Sequence, residues 1–166
     1  KKLDLARFRN VAFATHGLMS GDFKGLSEPA LVLTPPDQGS DLDDGLLTAS
    51  EISQLKLNAD WVILSACNTA APDGTPGAEG FSGLTKAFFY AGARSLLVSH
   101  WAVESGATVA LTTRMFEETA KGAPKSEALR RSMLALMRDK SQPNYAHPAF
   151  WAPFVVVGEG NAEWAK

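Results

Sequence analysis

Two residues with reactive side chains directly follow two short apolar runs of the sequence. His16 follows the run Val11–Thr15 (VAFAT), and Cys67 follows the run Trp61–Ala66 (WVILSA). Short apolar runs of this kind are typical of strands in a parallel sheet, and chemistry gathers at the carboxyl ends of such strands. Consecutive strands often pair, at a spacing of about 4.8 Å. If these two strands pair, the imidazole and the thiol lie within contact distance in one crevice.

A thiol beside an imidazole is the arrangement that nucleophilic catalysis by cysteine needs. The thiolate attacks a carbonyl, and the histidine then protonates the leaving amine. The backbone amides of Gly17 and Cys67 are candidates for the oxyanion hole, because Gly17 allows a carbonyl to approach its backbone closely. The alternative is that Cys67 is a small buried side chain and that His16 has a structural role.

Helical patterns with recognisable ends separate the apolar runs. The segment Thr48–Glu51 (TASE) has the form of a capping box, which marks the start of a helix. The other patterns predict helices over about 80–92, over about 105–121 and from Pro124 onward. Further apolar runs lie at 30–34, 95–99 and 154–157. Strands that alternate with helices predict an α/β fold with a mostly parallel sheet and helices on both faces.

Composition excludes several other classes of protein. The chain has 166 residues, of which 45% are hydrophobic and 20% charged, so it predicts one ordinary folded domain. A net charge of −2 provides no electrostatic footprint for nucleic acid. The single cysteine excludes an internal disulfide, and the apolar stretches are too short for a membrane span. We therefore expect a cytoplasmic protein that binds neither nucleic acid nor membrane.

Six motifs, in order along the chain, resemble those of the CHAT family of caspase-like cysteine peptidases. They are Ala14–Gly17 (ATHG), Leu46–Ile52 (LLTASEI), Leu64–Thr69 (LSACNT), Glu79–Leu84 (EGFSGL), Tyr90–Ser95 (YAGARS) and the closing segment His147–Phe154. The resemblance covers about Asn10 to Gly158, and its specificity lies in the order and spacing of the motifs. Members of this family are often attached to tetratricopeptide repeats.

The resemblance implies a caspase-like α/β sheet and peptidase chemistry. By position, His16 corresponds to the general acid and base, Cys67 to the nucleophile, and the amides of Gly17 and Cys67 to the oxyanion hole. The spacing of 51 positions from His16 to Cys67 agrees with that of caspases. The caspase signature around the nucleophile is absent, however, since the segment here reads Ser-Ala-Cys-Asn-Thr. That departure argues against caspase specificity for aspartate. Ala70 also stands where many CHAT members carry glycine, which puts the loop after the nucleophile in doubt.

Four further residues are candidates for substrate binding. Asp73 and Glu79 lie in the loop after the presumed nucleophile, and a carboxylate there would favour a substrate with Arg or Lys; the alternative is that both are solvated loop charges. His100 follows the apolar run at 95–99, and Glu104 stands where the family usually has Asp. His100 is a candidate for the pocket lining or for an alternative base, and it also fits a purely structural role. No spacing in the sequence predicts a metal site, and no cofactor is expected.

The resemblance also bears on the extent of the domain. Caspase-like domains usually have one or two strands before the histidine strand, whereas about ten residues precede it here. We expect residues 1–166 to be a single domain that lacks amino-terminal strands and forms the carboxyl-terminal part of a longer protein. The run at 11–15 would then lie at a sheet edge, where a tetratricopeptide-repeat region, another chain or a second copy would complete the sheet.

Three functions remain open from the sequence. The first is a cysteine endopeptidase that uses a Cys67–His16 dyad on a protein or peptide substrate. The second is a catalytically silent domain of the same family that serves as an interaction or scaffold module. The third is a cysteine hydrolase that acts on a non-peptide acyl group, which the same dyad could support.

Overall fold

A computed structural model of the chain describes residues 3–22, 24–40, 44–65 and 83–160. Its strands are β1 (Asn10–Phe13), β2 (Gly17–Leu18), β3 (Ala30–Val32), β4 (Leu46–Thr48), β5 (Trp61–Leu64), β6 (Ser95–Ser99) and β7 (Phe154–Gly158). Its α-helices are α1 (Ala49–Ser53), α2 (Gly83–Tyr90), α3 (Ser105–Ala120) and α4 (Lys125–Met137). Short 3₁₀ turns lie at Leu5–Arg7, Pro143–Ala146 and Pro148–Phe150. Cys67, Asp73 and Glu79 lie outside the described residues.

The central sheet has the strand order β1-β5-β6-β7. The first three strands run parallel, and β7 pairs antiparallel to β6 at one edge. The predicted pairing of the strand before His16 with the strand at 61–64 is confirmed, with Asn10 opposite Trp61 and Phe13 opposite Leu64. The predicted α/β fold with a mostly parallel sheet is therefore confirmed.

The two central strands, β5 and β6, are buried on both faces. Successive side chains of each strand point to opposite faces of the sheet, so each strand contributes to two apolar clusters. Val62, Leu64, Leu96 and Val98 belong to one apolar cluster, which includes Ile52 of α1 and Phe88 of α2. Trp61, Ile63 and Leu97 belong to a second cluster, which includes side chains of α3 and α4. Helices thus cover both faces, as the uninterrupted apolar runs predict.

A second, smaller sheet has the antiparallel order β2-β3-β4. The apolar run at 30–34 forms β3 of this sheet and does not join the parallel one. The physical reason lies in the connections: parallel neighbours need a crossover of a dozen or more residues, usually a helix. The described residues between β2 and β3 contain no helix, so the chain folds back antiparallel.

The predicted helix ends agree well with the structure. The Thr48 hydroxyl accepts a bond from the Glu51 amide at 3.3 Å, and the Glu51 carboxylate accepts one from the Thr48 amide at 2.9 Å, so the capping box is confirmed. The predicted start of α2 near residue 80 lies outside the described residues. Among the helices of the described segments, none combines the length and apolar character that crossing a bilayer requires.

Strand β1 lies at the edge of the central sheet, with β5 as its one strand neighbour among the described residues. Its side chains alternate between exposed (Asn10, Ala12) and half-buried (Val11, Phe13). Phe13 packs against Phe88 of α2, with ring centroids 5.3 Å apart. Among the described residues, no strand pairs with the outer side of β1, and its coverage by another chain or a second copy stays a prediction.

Candidate active site

The register of β1 and β5 aligns the carboxyl ends of the two strands. Every paired residue of β5 follows its β1 partner by 51 positions, and the pairing continues to Ser65, whose amide donates to the Phe13 carbonyl at 3.0 Å. Cys67 follows His16 by the same 51 positions. His16 is thus the described member of the predicted pair, and Cys67 lies outside the described residues.

Two sheets hold the backbone of His16 in place. Strand β1 of the central sheet ends at Phe13, three residues before His16, and β2 of the second sheet begins at Gly17, directly after it. The His16 carbonyl accepts a bond from the Val32 amide at 2.9 Å, and the Thr15 hydroxyl donates to the Val32 carbonyl. The His16 side chain is exposed, and its imidazole has no hydrogen-bond partner among the described residues. The backbone of His16 is therefore fixed, and none of the described residues engages either ring nitrogen.

The pairing of β2 with β3 sets the direction of the Gly17 amide. Since the His16 carbonyl bonds to the Val32 amide, His16 and Val32 form a hydrogen-bonded pair of the antiparallel ladder. The next pair, Gly17 and Leu31, is then a non-hydrogen-bonded one, in which the amides point away from the partner strand. Because β2 is an edge strand, the Gly17 N–H faces outward from the sheet, as an oxyanion donor must.

A cavity of about 300 Å³ lies beside His16. Its walls come from three places: the end of β1, the end of β5, and the segment around the start of α3. The residues that matter for its chemistry are His16, Ser65, Val103, Ser105, Thr108 and Val109. Among the described lining residues, the imidazole is the one ionisable group, and the rest offer hydroxyl or apolar surface. The described wall therefore suits an uncharged group.

Ser65 and the α3 residues of this cavity are not among the site residues that the sequence predicts. A signal for them was present, because Val103 and Ser105 follow the carboxyl end of β6 just as His16 follows that of β1. The rule that places function at the carboxyl ends of parallel strands applies to them equally. Only the fold, however, shows that the first turns of α3 reach across to His16.

His100 and Glu104 lie at the same edge of the sheet but outside the set of residues that line the cavity. The His100 amide donates to the Pro153 carbonyl at 3.0 Å, which continues the pairing of β6 with β7, and its side chain is exposed. Glu104 is the N-cap residue of α3. A substrate-binding role for either residue stays a prediction, as it does for Asp73 and Glu79, which lie outside the described residues.

The Glu104 carboxylate satisfies the free amides at the start of α3. It accepts bonds from the amides of Gly106 and Ala107 at 2.8 and 2.6 Å, and from the Tyr145 hydroxyl at 3.3 Å. The bonds from the Ala107 and Gly106 amides hold the pKa of Glu104 below its ordinary value, against the opposing effect of partial desolvation. This cap orders the turn that carries Ser105 and Thr108 into the cavity wall.

Replacing Glu104 with Gln keeps one acceptor oxygen but removes the negative charge and the second acceptor at the start of α3, and it is expected to lower the free energy of unfolding by about 0.5–1 kcal/mol at pH 7. Because folding lowers the pKa of Glu104, its contribution is complete above the ordinary value of 4.5 and disappears as the pH falls through the lower, folded value. Urea unfolding of both proteins from pH 7 to pH 3 measures this. The matched control is Glu117→Gln, on the same helix, whose carboxylate has no partner among the described residues. An equal loss in the control, or a loss that is as large at pH 3 as at pH 7, would contradict the assignment.

No group of three or more His, Cys, Asp or Glu side chains within the described segments is arranged to hold a metal ion. The chemistry available to the described residues is therefore that of an exposed imidazole beside an uncharged cavity, with an outward-facing backbone amide next to it.

The sequence profile of the CHAT domain matches residues 1–159, nearly the whole chain. The chain belongs to the CHAT domain family. The CHAT domain is of the caspase-like peptidase kind, and the mostly parallel sheet with helices on both faces is consistent with a caspase-like fold. The resemblance noted from the motifs is thereby confirmed.

Two curated relatives of this CHAT domain are tetratricopeptide repeat proteins. Tetratricopeptide repeat protein 28 of Mus musculus is 32% identical over 113 residues, which are 68% of this chain and 4% of that protein. The protein of the same name from Homo sapiens is 32% identical over 117 residues, which are 70% of this chain and 4% of that protein. The chain thus spans a small fraction of the length of these relatives.

Proposed function

We propose that this CHAT domain is a cysteine endopeptidase that cleaves peptide bonds through a Cys67–His16 dyad. The observation that carries the proposal is the register of β1 and β5, which pairs residues 51 positions apart, the same separation as His16 and Cys67. Cys67 follows Ser65 by two residues, so the chain can carry its Cα no farther than about 7 Å from that of Ser65, a residue that lines the cavity beside His16.

In the proposed reaction, the Cys67 sulfur attacks the carbonyl carbon of the scissile bond, and the Gly17 amide donates to the oxyanion that forms. The C–N bond then breaks, and the imidazolium of His16 gives its proton to the leaving amine. A thioester remains. Water attacks it while His16 accepts the water's proton, and His16 returns a proton to the sulfur as the acid product leaves.

The structural features around His16 support this assignment of roles. The imidazole is exposed and has no partner among the described residues, while its backbone is bonded into a sheet on either side. A general acid and base needs this combination of a fixed position and free nitrogens. The caspase-like kind of the family supports the same reaction. The lone cysteine fits a reducing compartment, so the proposal places the reaction in the cytoplasm.

A second candidate function is a catalytically silent interaction module. The observation that favours it is the nature of the relatives, which are named for their tetratricopeptide repeats and of which this chain matches 4%. In that case the domain would act through contacts with a repeat region rather than through chemistry. Hydrolysis of a non-peptide acyl group is a third candidate, which needs the same dyad and differs in its substrate.

The rate of Cys67 alkylation by iodoacetamide as a function of pH separates the dyad from the silent module. Cys67 is the only cysteine, so labelling reports on this thiol alone. A dyad predicts rapid labelling with a midpoint below about pH 8, and it predicts that His16→Ala moves the midpoint up toward about 8.5, the value of an ordinary thiol.

The matched control for this experiment is His100→Ala. His100 is also an exposed histidine just beyond a strand of the same sheet, but it lies outside the described lining of the His16 cavity. We expect its removal to leave the midpoint within about 0.2 pH units of the unmodified protein. If the unmodified protein and His16→Ala share the profile of an ordinary thiol, the dyad is absent and the silent module is favoured.

A further inference from the structure

Three arginines line a depression of about 330 Å³ between α3 and α4, outside the cavity beside His16. They are Arg114 on α3, Arg131 on α4, and Arg138, the residue that caps the carboxyl end of α4. Its described lining holds one carboxylate, that of Glu118. The two oxygens of Glu118 accept hydrogen bonds from Lys121 at 2.9 Å and from Arg131 at 3.0 Å. Within this depression the positive charge is therefore in excess.

Two of these arginines have no side-chain partner among the described residues. Neither Arg114 nor Arg138 forms an ion pair or a side-chain hydrogen bond with another described residue. Arg131, by contrast, bonds to Glu118 and to Glu127. An unpaired guanidinium presents its donors in a fixed fork that matches a carboxylate or another anion. Two such groups in one depression are the donors that an acidic ligand needs.

The depression adjoins the cavity beside His16 through a third cleft, of about 510 Å³. Val109, which is 63% exposed, forms a wall of both the His16 cavity and this middle cleft. Arg114 and Ala135 form walls of both the middle cleft and the arginine-lined depression. From Ser105 to Arg114, α3 rises about 14 Å, a distance that about four extended residues span.

We propose that the arginine-lined depression is an exosite that binds an acidic side chain of the protein substrate, about three to five residues from the scissile bond. This proposal rests on the proposed peptidase function. The middle cleft carries Glu117 and Asp139 against Arg114 alone, so its described charge is negative and disfavours an acidic residue, whereas Val109, Ala110 and Leu136 accept an apolar one. The predicted substrate segment is uncharged next to the scissile bond, free of acids in the middle and acidic at its far end.

Binding of fluorescein-labelled hexaglutamate to the Cys67→Ala chain tests the exosite without cleavage. We expect the dissociation constant, from fluorescence anisotropy at low salt, to rise about tenfold or more in Arg114→Gln/Arg138→Gln. The control is Arg130→Gln/Lys56→Gln, which removes the same charge from outside the depression; Arg130 pairs with Glu127 at 2.7 Å. Equal weakening in both double variants would show attraction by net charge alone and overturn the proposal, as would no binding.

Cleavage of a peptide library made from a digested proteome gives the second arm of the test. We expect Asp and Glu to be enriched at one position three to five residues from the cleaved bond, and that enrichment to vanish in Arg114→Gln/Arg138→Gln while the preference next to the bond is unchanged. If Asp and Glu are not enriched at that position in the peptides that the unmodified enzyme cleaves, the exosite proposal is overturned. No cleavage that depends on Cys67 would instead overturn the proposed function, and hexaglutamate binding would still decide whether the depression binds an acidic chain.

Discussion

Cys67→Ala is expected to reduce peptide cleavage by at least about a thousandfold, because the reaction loses the atom that attacks the carbonyl. His16→Ala is expected to cost a similar factor, since the two side chains act as one unit and their removal is not additive. The measurement is kcat/KM on a peptide selected from the proteome-derived library. The activity of the double variant should lie within a few fold of that of the less active single variant.

The structure supplies controls for this loss of activity. His100→Ala removes a histidine from the same edge of the sheet and should retain activity within about twofold. Thr15→Val removes the hydroxyl that donates to the Val32 carbonyl beside His16. We expect an intermediate loss of activity there, because the histidine stays but its backbone is less well held. Full activity of Cys67→Ala would exclude the proposed nucleophile, and full loss in His100→Ala would move the base to that residue.

Gly92→Ala is expected to lower the free energy of unfolding by about 3 kcal/mol or more, the largest effect we predict for a single methyl group. Gly92 follows the end of α2 with φ of +104°, a region that costs L-residues energy. An added Cβ would also clash with the Leu57 carbonyl oxygen. That oxygen belongs to the backbone, so relief requires the chain itself to move. Urea unfolding measures the loss.

Gly122→Ala is the matched control, because Gly122 follows α3 as Gly92 follows α2. Its φ is +91°, and its amide donates to the Thr119 carbonyl at 2.9 Å, as that of Gly92 donates to Phe89 at 3.0 Å. An added Cβ at Gly122, however, meets nothing within 4 Å. The control should lose only the cost of the backbone conformation, about 1 kcal/mol. Equal losses at the two positions would show that the Leu57 contact does not matter.

Local features of this protein were predictable from the sequence because local chemistry causes them. The capping box at Thr48 and Glu51 depends on two side chains three residues apart, and the structure confirms it. The ends of α3 and the left-handed conformation of Gly92 have equally local causes. The parallel pairing of the strands at 10–13 and 61–64 was also predictable, since buried apolar runs separated by a long connection favour it.

The second sheet shows where such reasoning stops. Strands β2 and β4 have two and three residues, too short for a periodic pattern to distinguish them from loop. Their pairing with β3 depends on backbone bonds between distant segments, such as that from the Val32 amide to the His16 carbonyl. Glu104 is a different case: the family resemblance makes it a candidate for substrate binding, which stays a prediction, and the structure adds that its carboxylate accepts bonds from the amides at the start of α3.

By itself, the sequence determined the family, the α/β fold and the two side chains that follow the paired strands, because these depend on residue types and spacings along the chain. Only the tertiary structure decided that the first turns of α3 form a wall beside His16, that the Gly17 amide faces outward, and that Arg114 and Arg138 share one depression. These facts depend on how elements far apart in the chain pack together. Packing of that kind follows from the summed burial of two apolar faces and leaves no local pattern in the sequence.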